Sequence, residues 1–130
     1  QSPTTPPVSL LYPLDQQTAD IQREGLDARF RRHSAMAEAC ASWVERARTD
    51  GLDVAMVARE GHRSTSVSCI ATKPPDAVRA RMREKGYELG GAQAELTKTT
   101  FRVGHMGDHT VAGLETMLGE LERVLRTPAP

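Results

Sequence analysis

The sequence predicts an α/β (α+β) fold: a small mixed, largely antiparallel sheet of three to four strands packed with helices, preceded by a long helical segment. Three observations lead there. Apolar residues recur at helical spacing on both sides of Gly25, from Val8 to Thr49. Two valine-rich runs, 52–58 and 66–72, flank a polar loop in the manner of a hairpin. Two shorter apolar runs, 87–89 and 101–103, then bracket a glycine pair before a final helical pattern.

Composition narrows the possible functions. With 130 residues, 38% hydrophobic and 26% charged, the chain is long enough to bury a core, and its few aromatics leave that core to aliphatic side chains. Seventeen basic residues balance seventeen acidic ones without a basic block, which disfavours nucleic acid or an anionic membrane as partner. Neither a membrane-spanning apolar run nor a signal-peptide pattern is present. Cys40 and Cys69 both sit in apolar patterns and are expected to be reduced core thiols of a cytoplasmic protein. The chain begins at Gln1, as an excised piece would, or a secreted chain after signal cleavage.

Three prolines make residues 1–7 an extended lead-in, with Thr5 able to cap a helix ahead of Pro6 and Pro7. Leu10, Leu11, Leu14, Thr18 and Ile21 predict a helix over 8–24, kinked or restarted at Pro13. Gly25 interrupts the pattern. A second helix over 26–49 follows, with Leu26, Phe30, His33, Ala37, Cys40, Val44 and Ala47 on one stripe, Met36 and Trp43 at its flanks, and its arginines facing water. Asp50 and Gly51 end it in a left-handed cap. His33 on that stripe reads as a packed core histidine rather than a ligand.

The runs 52–58 and 66–72 are expected to pair antiparallel around a loop that carries His62 and Arg63, which invite a functional reading although loops usually carry such residues for solubility. Pro74, Pro75 and Asp76 open a third helix ending near Lys85, with Val78 and Met82 on its buried side. Residues 87–89 are expected to return as a short strand, and Gly90-Gly91 to form the loop after it. Thr110 is placed to cap the last helix, whose Leu114, Leu118 and Leu121 recur at three and four residues.

The chemistry centres on Phe101-Arg102-Val103-Gly104-His105-Met106-Gly107-Asp108. In a strand, Phe101 and Val103 face one side and Arg102 stands alone on the other. An arginine fork on a strand beside a glycine turn suits bidentate recognition of a carboxylate or phosphate; on local pattern it is equally a surface arginine at a strand end. His105 and His109 are four apart, but the glycine and the helix cap between them argue against a continuous helix that could bind metal. No G-x-S-x-G elbow, cysteine pair at zinc spacing or HExxH is present.

Phe101 to Gly107 resembles the F-R-[IV]-G-H-M-G signature near the carboxyl end of class V aminotransferases, the alanine-glyoxylate and serine-pyruvate group of pyridoxal phosphate enzymes. Gln1 to Val8 resembles that family's Q-T-P-x-T-P-P-V segment, with Ser2 and Thr4 as departures, and the order of features from Thr5 through Gly90-Gly91 to the last helix follows the family's C-terminal part. The resemblance implies the fold-type I small C-terminal domain over 25–130, with 1–24 as a lead-in and linking helix against a missing large domain. It further implies substrate-carboxylate binding by Arg102, a place for Gly91 over the substrate side of the cofactor, and contact of Thr5 with the pyridoxal phosphate of a neighbouring subunit.

On that resemblance the parent enzyme would move an amino group between alanine or serine and glyoxylate or pyruvate, with the cofactor as electron sink. The only lysines, Lys73, Lys85 and Lys98, lie beside prolines, on a charged helix and in a polar loop, so the Schiff-base lysine belongs to the missing part. The chain alone is then expected to be inactive, not to retain the cofactor, and to self-associate through residues 8–24 or as a homodimer. The alternative is a stand-alone α/β module that binds a small anion or a protein partner without chemistry.

Overall fold

A computed structural model describes residues 7–127, which form two compact units dividing after Arg31. In the first, helix α1 (Val8–Glu24) ends at Gly25, whose φ of 85° lies in the left-handed region and whose N–H donates to the Ile21 carbonyl at 2.9 Å. Helix α2 (Leu26–Thr49) starts directly after it. Pro13 lies inside α1 and does not restart it; a proline in the second turn forfeits only the bond to the Ser9 carbonyl. No residue of α1 is buried: Leu10, Leu11, Tyr12 and Leu14 are exposed, as are Leu26 and Phe30 at the start of α2.

The second unit holds the rest of α2, a four-stranded antiparallel sheet, two further α-helices and a short 3-10 helix over Ala94–Lys98, where Lys98 was expected in a loop. The strands are β1 (Ala55–Met56), β2 (Val67–Ala71), β3 (Gly90–Gly91) and β4 (Thr100–Gly104), in the spatial order β1-β2-β4-β3. Helix α3 (Pro75–Glu84) joins β2 to β3, and α4 (Val111–Arg126) follows β4. Ile70 and Phe101, opposite each other on β2 and β4, put the apolar face of the sheet into a core shared with Met36, Cys40, Trp43 and Val44 of α2, Val78 and Met82 of α3, and Leu114, Leu118 and Leu121 of α4. Thr110 caps α4 as expected, its Oγ1 accepting the Gly113 N–H at 3.1 Å.

The mixed helix and strand architecture agrees with the sequence, and several of its details do not. The run 52–58 forms a strand only over Ala55–Met56, with the Val57 N–H still donating to the Cys69 carbonyl at 3.0 Å; at its start the Leu52 N–H donates to the Ala47 carbonyl at 2.9 Å to close α2 and is not available to the sheet. The 87–89 run is not a strand. Tyr87 donates its N–H to the Met82 carbonyl, closing α3, and the glycine pair expected to be a loop is the strand instead. On α2, Met36 and Trp43 are core rather than flank, whereas Phe30 is exposed. Neighbouring stripes on a helix differ by one residue's rotation, and periodicity alone does not choose between them. Arg29 and Arg32, read as facing water, are buried and half-buried respectively.

Phe101 is fully buried at the centre of the sheet, so Phe101→Ala is expected to cost about 3–5 kcal/mol of unfolding free energy. Phe30→Ala, on an exposed stretch of helix, should stay within about 0.5 kcal/mol. Urea unfolding of the two variants distinguishes this core from the stripe that periodicity alone suggests.

Candidate functional site

Strand alternation sends Phe101 and Val103 into the core and Arg102 to the opposite, exposed face. Its neighbours there are small. The residues opposite it are Cys69 on β2 and Gly90 on β3, with Gly104 two residues along its own strand. Cys69 is therefore not a core thiol: it is half-buried and shares the face of Arg102. Cys40 is buried as expected, and burial pushes its thiol above the ordinary range despite the hydroxyl of Ser68 beside it.

Arg102 does not simply project into solvent. Its Nε–H donates to the Gly91 carbonyl at 2.7 Å, which lays the side chain across β3. The path runs directly over Gly90, where a Cβ would stand 3.4 Å from both Cβ and Nε of Arg102, in ordinary van der Waals contact. With Nε held, both Nη groups remain for an incoming anion, and among the described residues neither has a hydrogen-bond partner. The geometry offers an end-on fork for a carboxylate.

The turn after β4 is tied to α2. Arg32 donates from Nη1 to the carbonyls of Gly107, at 3.0 Å, and His109, at 2.5 Å, while His33 Nε2 lies 3.3 Å from the Gly107 carbonyl. Gly107, with φ at 67°, supplies the left-handed residue the turn needs. His105 is fully buried beneath it, with Nδ1 3.2 Å from the Thr65 carbonyl and Nε2 2.9 Å from Ser68 Oγ. A carbonyl only accepts, so Nδ1 carries the proton and Nε2 accepts from Ser68. Burial moves the ring below its ordinary 6.5, the Thr65 and His105 backbone groups oppose that, and nearby His33 adds to it.

The other candidates are scattered. His62 is exposed, and Arg63 reaches back 3.4 Å to the Ala58 carbonyl. His105 and His109 are separated by burial, one enclosed and the other exposed. Among the described residues, no three of His, Cys, Asp and Glu come together as a metal site would require. Among the described residues, no helix is long and apolar enough to cross a membrane. Thr5 lies outside the described residues. A cavity of about 580 Å³ opens on the helix side of the sheet between Leu89, Val103, Leu114 and Met117, away from Arg102. Sequence reading missed Arg32, Arg79 and Cys69 as neighbours of these loops, because each acts through partners distant along the chain.

The chain is 31% identical to the small subunit of a soluble hydrogenase from Synechococcus sp., a match covering 98% of this chain and 34% of that protein. It is 30% identical to the serine–glyoxylate aminotransferase of Methylorubrum extorquens, covering 82% of this chain and 26% of the enzyme. The crystal structure of the alanine–glyoxylate aminotransferase from Nostoc sp. superposes with a TM-score of 0.78 at 27% identity, over 97% of this chain and 33% of that one. The chain is homologous to class V aminotransferases. It spans about a third of the length of the curated relatives it matches. No family model matches. Pyridoxal phosphate is the cofactor of the aminotransferase family.

The depressed His105 predicts an acid-sensitive fold. An unfolded histidine binds a proton near pH 6.5 that the buried ring refuses, so the stability this group contributes is present above pH 6.5 and lost as pH falls below it. His105→Gln is expected to flatten the fall in the urea midpoint between pH 7.5 and 5.5, a difference that a matched pair of titrations reads directly.

Proposed function

We propose that this chain is the C-terminal part of a cytoplasmic, pyridoxal-phosphate-dependent aminotransferase that moves an amino group between alanine or serine and glyoxylate or pyruvate. The observation that carries this reading is the pose of Arg102: a guanidinium on a strand, braced through Nε by the Gly91 carbonyl, with both Nη groups turned to an exposed face floored by small residues. Such a fork fits the one group every amino acid and 2-oxo acid shares, the carboxylate. Gly91 serves the same site by bringing its backbone close.

On this reading the chain does not hold the cofactor by itself. Lys73 and Lys98 are exposed, and Lys85 is paired with Glu120 at 3.1 Å, so none sits in the buried setting of a Schiff-base lysine. On this proposal a larger domain supplies the lysine, and residues 1–24 link to it ahead of the small domain of 25–130. Thr5 would reach the cofactor phosphate of a neighbouring subunit. By itself the chain would be inactive and would not retain pyridoxal phosphate at stoichiometry.

Arg102→Lys in the full-length protein keeps the charge and loses the fork. Steady-state kinetics with alanine and glyoxylate should show apparent substrate affinity falling about 10- to 100-fold, the worth of a charge-assisted hydrogen bond. Near-normal kinetics would remove Arg102 from the site and leave a non-catalytic module as the better reading. The uncovered leucines of α1 make a second expectation: the isolated chain self-associates through 8–24. Sedimentation should then show Leu11→Glu with Leu14→Glu shifting it to monomer.

A further inference from the structure

We infer that Arg79 is a positioning residue for Arg102, acting through the backbone of β3. This rests on the reading of Arg102 as the carboxylate anchor and adds a residue to it. Directly opposite residues of paired strands share a face, so Gly90, opposite Arg102, looks to the exposed side, and Gly91, opposite Phe101, looks to the core side. Arg102 lies over the first. The guanidinium of Arg79, from α3, lies under the second: a Cβ on Gly91 would stand 3.2 Å from its Nη1, 3.3 Å from Cζ and 3.4 Å from Nη2. The plane of the group is thus against the glycine rather than pointing past it.

Two further bonds hold Arg79 in that place. Its Nε–H donates to the Leu89 carbonyl at 3.1 Å, and Nη1 donates to Asp76 Oδ1 at 2.9 Å one turn earlier on α3. The side chain is only about a quarter exposed. Strand β3 is two residues long and pairs on one side only, a segment with little of its own to keep its carbonyls oriented. Arg79 fixes Leu89, Leu89 leads directly into the glycine pair, and the Gly91 carbonyl sets the direction of the Arg102 fork. An arginine approaches each glycine, one on each face, tightly at Gly91 and at ordinary van der Waals distance at Gly90, and neither glycine has a left-handed backbone.

The test uses this chain with arginine side chains labelled with nitrogen-15, Arg102→Lys assigning the Arg102 Nε–H signal. Arg79→Gln and Gly91→Ala, the second displacing the guanidinium by a few tenths of an ångström, should each speed solvent exchange of that proton by about tenfold, the measure of one weakened hydrogen bond. Backbone amides of β4 should keep their protection in both. Unchanged Nε–H exchange overturns the inference; if Arg79→Gln does not fold, Gly91→Ala decides alone. Acetate is then titrated as the carboxylate probe. Movement of the Arg102 Nη signals in the parent chain, reduced in Arg79→Gln, is the expected result. No movement in the parent chain overturns the anchor reading of Arg102 itself, separately from the exchange result.

Discussion

The close passage of two arginine side chains across the two-residue strand β3 is the constraint on which the proposed site depends. Arg102 passes Gly90 at van der Waals distance and Arg79 lies tightly against Gly91, and each returns a hydrogen bond to the strand's backbone or to the residue leading into it. A guanidinium is planar and offers donors in fixed directions, so a carbonyl that takes one of them orients the rest. The Gly91 carbonyl does this for Arg102. An ammonium in the same place would keep its charge and lose that orientation.

The rest of the second unit keeps β4 in register beneath this arrangement. Phe101 and Val103 anchor the strand in the core, so Arg102 has no alternative face to occupy. Beyond the strand, the turn is held from above by Arg32 and His33 and from below by His105. His105 links the carbonyl of Thr65 to the hydroxyl of Ser68, joining the β2 side of the sheet to the end of β4 through a neutral ring. Buried polar groups of this kind stabilise only while every partner is satisfied, which ties the turn's integrity to the protonation state of one side chain.

The first unit has a different character. Its helices are amphipathic, and its larger apolar residues, Leu10, Leu11, Leu14, Leu26 and Phe30, find no cover. A surface of this composition is ordinary where another protein surface packs against it.

Helix positions, the glycine that separates α1 from α2, the cap at Thr110 and the inward and outward alternation at 101–103 were legible in the sequence, because each depends on spacing within a few residues. Arg102 was legible as a candidate for the same reason, as the polar member of an alternating strand. What only the tertiary structure decided were the features set by partners far along the chain. Tyr87 gave its backbone to α3, leaving the glycines to form the strand; Met36 and Trp43 turned inward in place of Phe30; Cys69 came to lie opposite Arg102. Arg79 carries no local signal, since an arginine on an exposed helix reads as solvated until a glycine ten or more residues away is brought beneath it. Local spacing fixes which face a side chain takes, and packing between elements decides what it meets there.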